Sequence, residues 1–212
     1  MGYSLETILY RENTVIDLID KDLDACYEVS AKLFDRISVR SGSEEVLAIV
    51  KTINHDLEQL KINLESRIMV LESPEKPGNI GALLRTAAAA GMDAVIIANP
   101  KTDLYHPHII RNSLGGVFSI AVAMATSDNV ISFLKKNSFN IIVTAILNKA
   151  KHYKRIKYEK PFALVFGSEE KGLNHVWIKK ASQVVQIPVK FPIDSLNLSV
   201  SAGVLIYHCI EY

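Results

Sequence analysis

The sequence predicts an α/β protein: a parallel sheet with helices on both faces. Three observations carry this. From Arg67 onward, short runs that read as buried strands, such as RIMVLES and the fully apolar FALVF, alternate with stretches of helical period. Strands that are apolar throughout are buried on both faces, as parallel strands are. Three strand-to-helix junctions carry Gly or Asn, where open α/β sheets hold their ligands. The hydrophobic fraction is 49% over 212 residues, ample for a packed core and inconsistent with a disordered chain.

The N-terminal part reads as a strand at 5–10, a helix at 15–19, a strand at 25–30, a helix at 31–37 and a strand at 46–51. That is too few elements to close a good core alone. Residues 1–54 are therefore a partial α/β domain, and the polar HDLEQLKINLE at 55–65 is a linker to a main domain over 66–212. The main domain begins with the buried strand 67–73. Ile80, Leu83, Leu84, Ala87 and Ala88 recur at helical spacing and place a helix at 79–90. A strand at 93–98, a short helix at 109–114, a strand at 118–123, a helix at 129–136 and a strand at 140–145 follow. The chain closes with a strand at 162–166, a helix at 173–180, a strand at 184–187 and a small-residue helix at 196–210.

Charge is uneven. Residues 1–75 carry 8 Lys/Arg against 15 Asp/Glu, whereas 76–212 carry 16 against 8. The basic C-terminal part suits an anionic partner such as nucleic acid or a phosphate-bearing ligand; ordinary variation of surface charge is the alternative. Cys26 and Cys209 lack metal-site spacing, so no metal is expected and a reducing compartment is. MGYSLETILYRE has no apolar signal core, and no run is long enough to span a bilayer. A soluble cytoplasmic protein without membrane association follows.

The first junction is Pro77-Gly78-Asn79-Ile80-Gly81 with Arg85 one turn on. Arg85 lies off the buried stripe and leans back over Gly81, which leaves room for a ligand. Asn79 caps the helix or faces the same cleft. The second, Phe166-Gly167-Ser168-Glu169-Glu170-Lys171-Gly172, ends an apolar strand; its glycines permit close backbone approach, and Glu169 is an acceptor for an amine or hydroxyl. The third runs from Ile187-Pro188 to Ser195-Leu196-Asn197, where Ser195 fits a helix N-cap. A capped amphipathic helix, a charged turn and a buried capped helix are the bland alternatives. GxGxxG and the Walker pattern are both lacking. Lys149 to Lys160 holds six Lys/Arg with Tyr153 and Tyr158 interleaved, a composition suited to RNA backbone and stacking contacts or simply to a solvated loop.

Taken in order, the three junctions resemble the three signature motifs of the SpoU/TrmH family of RNA 2′-O-ribose methyltransferases, within the SPOUT superfamily. HPHIIRNSLGGVF resembles the family's Arg-x-Ser-x-Gly segment at Arg111, Ser113 and Gly115. The resemblance implies a C-terminal trefoil knot, S-adenosyl-L-methionine as cofactor, a homodimer and RNA as substrate, ribosomal RNA before transfer RNA. It places Arg85 at the reacting hydroxyl, with Asn79, Glu169, Ser195 and Asn197 orienting the groups around it. Thr144, Gly167, Ser168, Gly172, Ile187, Pro188 and Leu196 would hold the cofactor, largely by backbone. Arg111, Lys154 and Arg155 would contact RNA, Arg111 across the subunit interface. Residues 1–54 resemble the latter half of the family's small RNA-binding domain, apparently truncated. Val189 and Phe191 stand where the family usually has Met and Gly, so Phe191 is expected to narrow the cofactor pocket. The competing reading is an RNA-binding or ribosome-assembly protein that keeps the fold with little catalysis.

Overall fold

A computed structural model of the chain describes residues 2–14, 25–39 and 45–210. The helix expected at 15–19 lies outside the described residues. The chain divides into two compact units, Met1–Asn54 and His55–Tyr212.

The first unit contains β1 (Leu5–Arg11), β2 (Cys26–Val29), α1 (Ala31–Ile37) and β3 (Val46–Val50). The strands lie in the order β2-β1-β3, with β1 parallel to β2 and antiparallel to β3. Ser30 caps α1 and Phe34 buries its inner face.

The second unit opens with a 3-10 turn, Leu57–Gln59. Its elements are β4 (Arg67–Glu72), α2 (Pro77–Ala89), β5 (Ala94–Ala98), α3 (Pro107–Ser113), α4 (Gly116–Ser119), β6 (Ala121–Ala125), α5 (Ser127–Lys136), β7 (Asn140–Thr144), β8 (Lys151–His152), β9 (Phe162–Phe166), α6 (His175–Lys180), β10 (Gln183–Gln186) and α7 (Leu198–Ile210). The strands form one sheet, β6-β5-β4-β9-β7-β10-β8, and every pair is parallel. All carboxyl ends therefore meet at one edge.

The apolar runs divide by alternation, because successive strand side chains face opposite ways. Met69, Leu71, Val95, Ile97, Leu164 and Phe166 point to one face and pack with α2, α3, α4 and α7. Ile68, Val70, Ile96, Ala163 and Val165 point to the other and pack with α5, α6 and the 3-10 turn. A strand with apolar residues at every position is the solution for a sheet covered twice.

Three segments differ from the sequence expectation. Phe118 and Ser119, expected as the start of a strand, belong instead to the helical turn α4. Leu114 and Gly115 are both left-handed, with φ of 46° and 85°, and this pair turns the chain so that β6 begins only at Ala121. In the 55–65 segment, His55, Leu57 and Leu60 are buried. His55 Nδ1 lies 2.8 Å from the Val122 carbonyl and its Nε2 lies 2.6 Å from the Tyr105 hydroxyl; the Met124 N–H donates to the His55 carbonyl. Two core leucines spaced by three in a polar stretch gave too little periodicity to reveal this packing. Finally, the 149–160 loop contributes β8, and Tyr153 and Tyr158 are half-buried against the core. Tyr158 donates to the Tyr153 carbonyl at 2.8 Å, and both rings meet His208 edge-on. The tyrosines anchor the segment rather than offering open faces to RNA bases; its cations stay exposed.

Candidate functional site

The second and third junctions converge at the carboxyl edge of the sheet on a cavity of about 380 Å³, and Lys76, just ahead of the first, joins its lining while Asn79 and Arg85 do not. β4 and β9 are neighbours, and β7 separates β9 from β10, so Thr144 at the end of β7 completes the wall. Thr144, Gly167, Ser168, Glu169, Gly172, Ile187, Ser195, Leu196 and Asn197 all line the cavity. Phe166, Val185 and Leu205 supply an apolar floor, while Glu169, Lys76, Ser195 and Asn197 supply polar groups.

Each loop has a local reason for its shape. The chain from Gly167 to Gly172 folds back on itself through reciprocal bonds, Ser168 N–H to the Gly172 carbonyl at 3.1 Å and Gly172 N–H to the Ser168 carbonyl at 3.0 Å. A Cβ at Gly167 would lie 2.2 Å from the Gly172 carbonyl carbon, so only glycine permits this closure. Thr144 Oγ1 donates to the Val165 carbonyl at 3.0 Å and ties β7 to β9. Asn197, not Ser195, caps α7: its Oδ1 accepts from the Ser199 N–H at 2.9 Å. Ser195 stands outside the helix and faces the cavity.

On α2, Lys76 takes the N-cap position with Pro77 behind it. Asn79 therefore lies inside the first turn, and its amide donates to Glu169, joining the first junction to the second. The space above Gly81 is taken by α3: a Cβ there would meet the Ile109 carbonyl at 2.7 Å. This glycine serves helix packing, which corrects the expectation that it leaves room for a ligand. Glu75 pairs with Lys101, whose hydrogen bond and charge hold its carboxyl below the ordinary value.

Other expected residues lie away from the cavity wall. Arg85 is exposed on α2, and α4 is packed so closely that a Cβ on Gly116 would come within 3.0 Å of the Arg85 backbone. Pro188 is exposed and outside the lining. Arg111 is exposed in the last turn of α3, and Lys154 and Arg155 in a 3-10 turn after β8. Ser113 is buried and donates to the Ile110 carbonyl at 2.8 Å, so with Gly115 it shapes the α3–α4 corner. Phe191 does not narrow the pocket: it is 95% exposed and absent from the lining. Lys76, Gln186 and Ser201 line the cavity and escaped the sequence reading. Ser201 sits one helical turn after Asn197, a spacing that could have disclosed it.

Beneath the first junction, Glu72 is a carboxylate only 4% exposed. It accepts from Trp177 Nε1 at 2.6 Å, from Asn99 Nδ2 at 3.2 Å, from Ser73 Oγ at 3.1 Å and from Ser127 Oγ. A buried carboxylate needs such a set of donors. The network pins the start of the first junction to α5, α6 and the end of β5.

Among the described residues no group of three or more His, Cys, Asp or Glu is placed to hold a metal ion. None of the described helices is long and apolar enough to cross a membrane.

The sequence model of the SpoU rRNA Methylase family matches residues 66–207, and the chain belongs to that family. The 23S rRNA (guanosine(2553)-2′-O)-methyltransferase RlmP of Bacillus subtilis is 27% identical over 207 residues, spanning 96% of this chain and 80% of RlmP. A crystal structure of an RNA 2′-O ribose methyltransferase is 33% identical with a TM-score of 0.83, covering 99% of this chain and 82% of the other. The SpoU methyltransferase AviRb from Streptomyces viridochromogenes, in complex with the cofactor AdoMet, superposes with a TM-score of 0.89 over 99% of this chain and 83% of its own. At 22% identity that likeness is one of fold.

Proposed function

We propose that this chain methylates a ribose 2′-hydroxyl in RNA, using S-adenosyl-L-methionine, with ribosomal RNA as its substrate and the cytoplasm as its place of work. The observation that carries the reading is the meeting of the second and third family motifs on one cavity, with Lys76 just ahead of the first motif in the lining and the Asn79–Glu169 bond linking the first motif to the second.

The lining fits the cofactor. Its apolar floor suits an adenine ring, and close-set backbone at Gly167, Ile187 and Leu196 leaves space for a flat nucleoside. Ser168, Gly172 and Thr144 complete that wall, and Pro188 follows Ile187 just outside it. Glu169, Ser195 and Asn197 provide polar groups for the amino-acid portion. When bound, the cofactor supplies an electrophilic methyl on a sulfonium.

A ribose hydroxyl is a poor nucleophile at neutral pH. Arg85 is assigned to position the phosphate or the developing alkoxide, because a guanidinium keeps its charge. Asn79 holds Glu169 in place. Arg111, Lys154 and Arg155 contact the RNA backbone, and the first unit adds RNA affinity. A homodimer is supported by an unpartnered stripe on α7, where Val200, Val204 and Tyr207 are exposed at helical spacing. The trefoil knot is supported by the strand order: β10 lies between β7 and β8, inside the connection that joins those two consecutive strands. Phe191, one of the grounds for reading the chain as a catalytically weak assembly protein, lies outside the pocket lining.

Arg85→Ala is the test. Methyl incorporation into an undermethylated 23S rRNA transcript should fall by at least about 100-fold, the scale on which transition-state charge stabilisation acts. Calorimetric affinity for S-adenosylhomocysteine should stay unchanged. Turnover at the unsubstituted rate would remove Arg85 from the mechanism.

A further inference from the structure

We infer that Phe191 is a stacking platform for a nucleobase of the RNA substrate at the mouth of the cavity. The inference rests on the RNA methyl-transfer reading and adds a specificity residue to it.

Phe191 stands at the tip of a tight turn. The Ile193 N–H donates to the Lys190 carbonyl at 3.1 Å and closes that turn. Both flanks, Val189 and Ser195, line the cavity, so the turn rises from the cavity wall itself. Its tip presents Phe191 at 95% exposure, with Ile193 at 58%. Ile146, which follows Thr144 and Ala145 in the cavity wall, is exposed at 61%. Among the described residues no aromatic ring packs on Phe191.

A single exposed leucine would need no explanation, but an almost fully exposed phenylalanine beside a polar cavity does. The chemistry around it selects the occupant. Lys190 adjoins the ring in sequence, with Asp194 three residues on, and Lys76 lines the cavity opposite in charge to Glu169, so an apolar platform shares its loop and the cavity mouth with ammonium groups. A nucleotide matches both, with a flat π face for the ring and a phosphate for the ammonium groups. A ribose whose 2′-hydroxyl reaches into the cavity brings its own base, or the next one, to the mouth. Unpaired bases are held this way because stacking on an aromatic face is indifferent to base identity.

The experiment compares Phe191→Ala, Phe191→Leu and Phe191→Trp in the full chain. Binding of an in vitro 23S rRNA transcript and of bulk tRNA is measured by filter retention, S-adenosylhomocysteine binding by calorimetry, and mass by light scattering. Phe191→Ala should weaken binding of the preferred RNA roughly 5- to 100-fold, the range for losing one base stack. S-adenosylhomocysteine affinity and mass should not move, Trp should restore RNA binding and Leu should not. Unchanged RNA affinity in the Ala variant overturns the inference, as does full rescue by Leu. Weakened S-adenosylhomocysteine binding would make Phe191 a cofactor-loop residue, and a changed mass would make this face an interface between copies; either overturns it. If the unsubstituted chain binds no S-adenosylhomocysteine, or neither RNA, the methyl-transfer reading falls first and the inference with it.

Discussion

Replacing Gly167 by Ala tests how the cavity is built. The added Cβ would sit 2.2 Å from the Gly172 carbonyl carbon, 2.4 Å from the Leu173 nitrogen and 2.5 Å from the Gly172 oxygen. All three are backbone atoms, so no side chain can turn aside. Carbon atoms pack at roughly 3.5 Å or more, which requires a displacement of about 1.3 Å. A shift of that size breaks both bonds between Ser168 and Gly172. Overpacking of this kind destabilises by about 1–3 kcal/mol, and each lost hydrogen bond adds about 1 kcal/mol. The closed loop is then disfavoured by roughly 3–5 kcal/mol. A ligand that needs the closed loop should bind at least about 100-fold more weakly. Calorimetry with S-adenosylhomocysteine measures this, and a melting curve shows whether the loop opens alone or loosens the domain. Gly172→Ala is the control: its Cβ would meet open space, but its φ is +64°. That change should cost about 1–2 kcal/mol. Unchanged affinity and melting temperature in Gly167→Ala would refute the argument that this glycine shapes the site.

Three other expectations follow from the packing. Glu72→Ala leaves buried donors on Trp177 and Ser127 without their carboxylate, and should destabilise the fold by about 3 kcal/mol or more; a red shift in emission from Trp177, the single tryptophan, would report it. Asn79→Ala and Glu169→Ala should each lower methyl transfer, with the double variant little worse than either single one, because both remove the same hydrogen bond; additive losses would contradict the coupling. Burial pushes the Cys209 thiol up from 9.0 to about 12, and burial also raises the Tyr158 hydroxyl, helped by Cys209. The folded chain thus keeps protons that the unfolded chain releases. Stability should hold up to about pH 9 and decline as pH rises toward 12; Cys209→Ala should flatten that decline in urea titrations followed by circular dichroism.

The sheet was legible because β5 and β9 are apolar at every position and β4 and β7 through their middles, a pattern that needs no knowledge of neighbours. The site was legible where loop glycines and polar residues follow such strands, as at Gly167 and Asn197. What the sequence concealed depends on contacts across the fold. Nothing local to Gly81 distinguishes a gap for a ligand from a seat for α3. Phe191 beside a proline suggests a filled loop, and only the turn that lifts it out shows otherwise. Tyr153 and Tyr158 among lysines imitate a nucleic-acid surface, yet their rings are needed to fasten the strand edge to α7. Ser195 satisfies the local rule for a cap, but Asn197 starts the helix two residues later.

The contacts of His55 have a consequence for solubility. β6 is an outer strand of the sheet, and an outer strand's unpaired amides and carbonyls invite another chain to add on. His55 meets that hazard twice, through its ring at the Val122 carbonyl and through its own carbonyl at the Met124 N–H. At the opposite border β8 is only two residues long and begins with a lysine, a poor template for extension. A substitution that dislodged His55 would expose the first border while leaving the distant cavity intact. Its expected phenotype is edge-to-edge association of active molecules, with loss of yield preceding any loss of catalysis.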